Sequence, residues 1–408
     1  MPSQRRTRPI RRTGSPLPRG RSINHVRTCQ TPTERDQLTG TRAEFLYFTD
    51  GNRTVPIIYL CRCMRSYALP EEDANSRRFL LPAKIAQTAF VCYHETKNCR
   101  LFSAHPMSSP SIPSPDVTHT VFLDDGAEII LRRYSRASGT RLVVSHGNGC
   151  AVDGYFPYWQ KFLDDHEVVV FDFRNCGQNP AHGGAHDYPI FLNDMTAVYD
   201  SIDDAFGKRS QAGAFHSMSA RINLKYALEG NRRLDALVVF DPPMVPPEDH
   251  PLHELLHSEE RVLWRWAAGR PAVFDDPSEL ADLYAKSRML SGWVDGTYDL
   301  MARAVLRQDT ADGKWHLVCS GARESNIYRQ NAALNIWPRG DDFPIPVLLV
   351  GGDPESDIPS APAHACRALG SEMGWRYESV PGTGHFLQLQ EPDACAQLTK
   401  SFLIEKLG

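Results

Sequence analysis

From about residue 117 onward, short β-branched and apolar runs alternate with segments of helical spacing, and this alternation constrains the fold more than any other feature. The runs fall at 117–123, 128–134, 141–145, 167–173, 212–215, 236–241, 347–351 and 375–380. Helical spacing occupies 158–163, 191–206, 219–228, 361–369 and 394–407, between most of them. Parallel strands need a crossover connection, and a helix is the usual one. The alternation therefore predicts an α/β fold: a mainly parallel twisted sheet with helices on both faces. Asp124-Asp-Gly126 joins the first two runs and is a hairpin signal, so these two pair antiparallel. Residues 242–343 break the rhythm with Pro-rich entry, several Trp and Arg residues and helical patterning. An interval of that length is more than a loop. It is expected to be a helical cap inserted after the sixth strand, leaving 117–241 and 344–408 as the core.

Ahead of residue 117 the chain reads differently. Between Arg5 and Arg27 stand eight arginines and no acidic residue, and no apolar segment follows of the kind a secretory signal needs. A basic tail or an organellar transit peptide has this composition. Residues 1–106 are expected to be a poorly ordered Arg-rich extension, or an over-long reading of a start at Met107. The Ser/Pro-rich stretch 107–116 reads as a linker.

The net charge of −4 supplies no whole-chain electrostatic reason to bind nucleic acid. No apolar run approaches the roughly 18 to 20 residues of a membrane span. The ten cysteines show no C-x-x-C pair, and Cys61-x-Cys63 is too tight for a zinc knuckle. No metal or organic cofactor is expected. Scattered thiols of this kind read as reduced and mostly buried, in a cytoplasmic protein acting on a small molecule.

Ala214-Phe-His-Ser-Met-Ser-Ala220 carries the first chemical signal, because an apolar run leads directly into Ser217 and a helical segment follows. A serine hydroxyl is a weak nucleophile until it is held exposed beside a base. A tight strand–turn–helix does this, and it turns the main-chain N–H of Met218 towards a developing oxyanion. A serine ahead of a helix also serves as a plain cap. His146-Gly-Asn-Gly149 follows the 141–145 run, where the Asn148 N–H supplies a second oxyanion donor and Gly147 and Gly149 permit close approach of a substrate. Tyr155 and Phe156, just beyond, are candidates for the wall of an apolar pocket. Near the C-terminus, Pro381-Gly-Thr-Gly-His-Phe-Leu387 places His385 on a glycine-rich loop as the candidate base. An acid must orient that imidazole. Asp353, Glu355 and Asp357 all follow the 347–351 run; Asp357 is preferred, Glu355 comes second, and Asp241 at the end of 236–241 is a more distant choice.

The order Ser217, acid, His385, with the His-Gly-Asn-Gly loop ahead, resembles the capped serine esterase-like branch of the α/β-hydrolase superfamily. Asp172-Phe-Arg-Asn-Cys-Gly177 is similar to that superfamily's segment after its fourth strand, and the resemblance covers about residues 117–408. It implies hydrolysis of an ester-like bond of a small, apolar acyl substrate through an acyl-enzyme on Ser217. It also accommodates C–C bond hydrolysis, perhydrolysis or acyl transfer with the same triad, and a non-catalytic hydrolase-fold binding protein. The chain departs from the superfamily's G-x-S-x-G turn, having Phe215 and Ser219 where the glycines belong. Either the turn opens to admit the Phe215 ring or the sheet beside it is carved out.

Overall fold

The computed structural model describes residues 46–50, 53–58, 111–134, 139–331, 336–338 and 343–408. The chain divides into two units, Met1–Ile85 and Ala86–Gly408. In the first, β1 (Leu46–Asp50) and β2 (Arg53–Ile58) pair antiparallel. The remainder of the expected extension 1–106, and residues 107–110 of the linker, lie outside the described residues.

The first described strands of the second unit are β3 (Val117–Phe122) and β4 (Glu128–Tyr134), the expected hairpin, turned at Gly126 with a φ of 85° that glycine adopts at little cost. Next come β5 (Arg141–Ser145), the short α1 (Phe156–Trp159), β6 (Glu167–Phe171), α2 (Tyr188–Phe206), β7 (Gln211–His216), α3 (Met218–Leu228) and β8 (Ala236–Phe240). Asp187 caps α2 by accepting from the Ile190 N–H at 3.1 Å, which starts that helix three residues before the position expected from its spacing.

The long interval then supplies α4 (His253–Gly269), β9 (Val273–Phe274), α5 (Pro277–Ala285), α6 (Thr297–Val305), β10 (Leu306–Gln308), β11 (Trp315–Leu317) and α7 (Gly321–Gln330). Expected to be helical, it also contains a small antiparallel sheet in the order β10-β11-β9. The chain returns through β12 (Val347–Gly351), α8 (Ala361–Met373), β13 (Arg376–Ser379), α9 (Leu387–Gln390) and α10 (Pro392–Leu407).

Eight strands form one sheet in the order β13-β12-β8-β7-β5-β6-β4-β3, parallel from β13 through β6 and antiparallel at β4 and β3. Its central strands are buried at every residue, as a sheet covered on both faces requires. Val143, Val169 and Val239 face one layer with Phe191, Met195 and Leu369, while Val144, Val170 and Phe240 face the other with Trp159, Phe162 and Phe402. The alternation along each strand divides these side chains between the two layers. Each fully buried side chain of this size contributes about 1.5–3 kcal/mol. The strands β7, β8 and β12 are neighbours, so the loops leaving their carboxyl ends emerge side by side.

Candidate active site

Ser217 stands between β7 and α3 with φ 53° and ψ −113°. A non-glycine residue held there costs on the order of 1–3 kcal/mol, so surrounding contacts must impose it. The Ser219 hydroxyl does so in part: it accepts from the His216 N–H at 3.0 Å and donates to the His216 carbonyl at 2.9 Å. The Ser217 N–H donates to the carbonyl of Phe240 on the adjacent strand at 2.9 Å. The Ser217 hydroxyl makes no capping bond to α3. A purely capping role therefore does not explain the residue.

Phe215 is fully buried, and the sheet beside it is what makes room. A Cβ on Gly213, two residues earlier on the same face, would come within 2.2 Å of the Phe215 ring. The glycine that a tight turn wants has in effect moved two positions back along the strand.

His385 reaches the elbow from the loop after β13. Its Nε2 lies 3.0 Å from the Ser217 hydroxyl and its Nδ1 lies 2.8 Å from the carboxylate of Asp241. The carboxylate that meets His385 is thus that of Asp241, in place of the expected Asp357 or Glu355. Both of those side chains are exposed, and Glu355 meets Arg367 at 3.2 Å. Asp241 is completely buried. Its Oδ2 also accepts from the Ser360 hydroxyl at 2.8 Å and its Oδ1 from the Gly352 N–H at 3.1 Å. The reason is positional. Asp241 follows β8, which pairs directly with β7 of the elbow, whereas Asp353, Glu355 and Asp357 follow β12, one strand further out. Asp353 instead ties its own turn to the His385 loop, accepting from the N–H groups of Glu355 at 2.9 Å and Gly382 at 2.9 Å.

The neighbouring His216 gives no signal in the sequence beyond its place before Ser217. Its Nε2 lies 2.8 Å from the His385 carbonyl, which can only accept, so Nε2 carries the hydrogen and Nδ1 accepts from the Tyr155 hydroxyl at 2.7 Å. The Tyr155 oxygen in turn accepts from the Gly147 N–H at 3.3 Å. One chain of hydrogen bonds therefore joins the glycine loop after β5, the elbow and the His385 loop. Burial, reinforced by nearby His385, pushes the His216 imidazole well below its usual range. Burial thus favours the uncharged form of His216.

A cavity of about 270 Å³ opens over Ser217. Gly147, Asn148 and Gly149 line it, and the Asn148 side-chain amide donates to the Glu324 carbonyl of α7 at 2.9 Å. Met218 opens α3 with its side chain in the core, so that its main-chain N–H is the first of the helix. Tyr155 and Phe156, expected in the pocket wall, do not line it. Tyr155 is fully buried beneath Gly147, and Phe156 packs edge-on against Trp159 at 4.7 Å. The wall comes instead from the long interval and the His385 loop, with Leu256, Leu263, Trp266, Trp293, Met301 and Phe386 as its apolar surface.

Two acidic groups of the lining stand beside arginines. Glu324 meets Arg270 at 2.7 Å, and Glu260 lies 3.7 Å from Arg221. Burial pushes the Glu260 carboxyl from an ordinary 4.5 up to about 7, against the pull of Arg221. Between those two values the folded protein binds more protons than the unfolded chain, so this group lowers stability as pH rises through that window and no further above it. Glu260→Gln should therefore melt at increasingly higher temperature than wild type as pH is raised from 5 to 8. A difference in melting temperature that does not change with pH would contradict this assignment.

A family model described as the alpha/beta hydrolase family matches residues 142–398. No curated protein matches the chain. Among solved structures, E-2-(acetamidomethylene)succinate hydrolase aligns with a TM-score of 0.56 and 18% identity, over 71% of this chain and 99% of that one. A hydrolase structure from Rickettsia typhi aligns at 0.54 and 11% identity, over 69% of this chain and 92% of that one. The thioesterase domain from the curacin biosynthetic pathway aligns at 0.52 and 15% identity, over 69% and 99%. At such identities the likeness is one of fold. Among the described residues, no helix is long and apolar enough to cross a membrane.

Proposed function

Because the chain belongs to the alpha/beta hydrolase family, we propose that it is a serine hydrolase cleaving an ester-like bond of a small apolar acyl substrate, with Ser217, His385 and Asp241 as its triad. The observation that carries this reading is the unbroken chain from the Ser217 hydroxyl through both nitrogens of His385 to Asp241, at 3.0 and 2.8 Å. Nucleophile, base and orienting acid stand within hydrogen-bond reach at the mouth of an apolar cavity.

His385 takes the proton of Ser217 as the oxygen attacks the carbonyl carbon. The carbonyl electrons move onto oxygen, which rests against the main-chain N–H groups of Asn148 and Met218. Each such donor contributes about 3 kcal/mol to the transition state. His385 then protonates the departing alcohol or thiol, and deprotonates the water that releases the acyl group. Asp241 holds the tautomer in which Nε2 faces Ser217 without a hydrogen, and it stabilises the imidazolium between steps. The apolar wall from 242–343 supports an aliphatic or aromatic acyl chain in a capped pocket. The thioesterase neighbour agrees with an ester-like, sulfur-linked acyl substrate, and the E-2-(acetamidomethylene)succinate hydrolase neighbour with hydrolysis in general.

p-Nitrophenyl esters of graded acyl length test this reading. Turnover is expected to peak at short or medium chains, given a cavity of about 270 Å³, and to fall to the uncatalysed background in Ser217→Ala. Equal turnover in Ser217→Ala would overturn it.

A further inference from the structure

Cys176, His186 and Cys319 lie outside the catalytic chain, and no motif joins them in the sequence. One ligand atom from each lies within 4.8 Å of the others, and Cys319 Sγ is 3.8 Å from His186 Nε2. Their exposures are 2%, 6% and 7%, so all three are withdrawn from solvent. Two thiols and an imidazole are the donor set of thiophilic first-row cations. Zinc bonds of about 2.3 Å to sulfur and 2.0–2.1 Å to nitrogen place tetrahedral ligand atoms about 3.5–3.8 Å apart. The Cys319–His186 separation of 3.8 Å is close to that spacing and the other pairs lie within 4.8 Å, so side-chain movements of about 1 Å would bring all three onto one ion.

Two further observations concern the orientation of the His186 ring. The His186 Nδ1 is buried with no hydrogen-bond partner among the described residues, and the ring stands edge-on against Phe191 at 4.8 Å. A buried ring nitrogen without a partner is uncommon, and it is Nε2, not this atom, that meets Cys319. Here packing sets the ring orientation and turns Nε2 towards the thiols. The Cys319 sulfur meets the Cys176 thiol as well as His186, and it lies 3.9 Å from the Ser320 carbonyl.

The three segments are also assembled without help from an ion. Arg307 donates to the carbonyls of Gly177 and Asn179, each at 3.0 Å, and the Asn326 amide donates to the His186 carbonyl at 3.2 Å. Arg323 donates to the His182 carbonyl. A site preformed in this way loses little further chain entropy on binding.

We propose that Cys176, His186 and Cys319 form a zinc(II) site that ties the segment after β6 to the start of α7. Binding releases one proton from each thiol to solvent, and two thiolates with a neutral imidazole leave no net charge on the buried assembly. Three protein ligands leave one coordination position for water or a small anion. The ion would fasten the interval 242–343 to the sheet just ahead of Glu324 and Tyr328, which line the cavity. Its role is structural, and it takes no part in the proposed hydrolysis.

The full chain, purified with reductant and supplied with zinc, provides the test. Because other cysteines lie in 1–106, the readout is the difference between proteins. Zinc content is expected to fall by one ion per chain in Cys176→Ser and in Cys319→Ser, and to stay at the wild-type level in Cys366→Ser. Cobalt(II) in place of zinc should give thiolate charge-transfer bands that weaken in the same two variants. Wild-type protein alone supplies a second measurement, should those variants fail to fold: zinc should slow alkylation at Cys176 and Cys319, resolved by peptide mass, without slowing it at Cys366. Equal zinc content in all proteins with no protection of the two thiols would overturn the site. So would isolation of the chain with Cys176 and Cys319 joined as a disulfide and no zinc-dependent difference between variants.

Discussion

Asp241→Asn is expected to lower kcat/KM for an activated ester by about four orders of magnitude, with Asp357→Asn and Glu355→Gln remaining at the wild-type value. The loss corresponds to about 5–6 kcal/mol of transition-state stabilisation. Asp241 accepts three hydrogen bonds in full burial, from His385, Ser360 and the Gly352 N–H. An amide in its place turns one acceptor into a donor. The favoured tautomer of His385 then carries its hydrogen on Nε2, where it cannot receive the proton of Ser217, and the imidazolium loses its counter-charge. Asp357 has no such position: its side chain is exposed, and its main-chain carbonyl accepts from Arg288 at 2.8 Å. Steady-state kinetics on the three variants, with circular dichroism to verify folding, separates the possibilities. A large loss in Asp357→Asn with activity retained in Asp241→Asn would return the acid to the β12 loop.

Arg141→Ala should destabilise the fold by about 3–5 kcal/mol, through the stranding of a buried charge. Arg141 opens β5 and is completely buried, with its Nε 2.5 Å from Glu167 and its Nη2 donating to the carbonyls of Gly207 at 2.8 Å and Phe206 at 3.1 Å. It therefore joins the first residues of β5 and β6 to the C-terminal end of α2. Removing the guanidinium leaves Glu167, itself 4% exposed, and two carbonyls without their strongest donor. For a domain of this size the melting temperature should fall by roughly 6–20 °C. Replacing both partners with apolar residues, Arg141→Met with Glu167→Leu, should recover much of that loss, because no buried charge is then unpaired. Differential scanning calorimetry reads both. A single variant that melts within about 2 °C of wild type would show that the pair contributes little.

The parts of the fold legible in the sequence are those where one periodicity serves one environment. The strands at 236–240 and 347–351 are buried on both faces and read as continuous apolar runs. Ser217 and His385 were legible for another reason: the backbone around each must be unusual, and the flanking residues advertise it. The partner acid was not, because Asp241 is an isolated aspartate at the end of a strand. Its role depends on which strands are neighbours, and strand order is not written in local spacing. Phe215 looked like an obstacle in the elbow because its compensation, Gly213, acts through the face of the strand and not through the turn. Proximity to the glycine loop suggests a pocket position for Tyr155, yet its hydroxyl binds the Gly147 N–H and the His216 ring. Burial direction across a short helical turn cannot be read from apolar character alone. Cys176, His186 and Cys319 come together only through the packing of α7 on the segment after β6, and cysteine spacing gave no hint of it.

The identity of the nucleophile is best tested by reacting the full chain with a fluorophosphonate probe and locating the adduct by peptide mass. One adduct per chain, on the peptide holding Ser217 and absent from Ser217→Ala and His385→Ala, is the expected result. A folded protein that takes up no probe, or one in which Ser217→Ala still forms the adduct, would contradict a triad built on residues 217, 241 and 385.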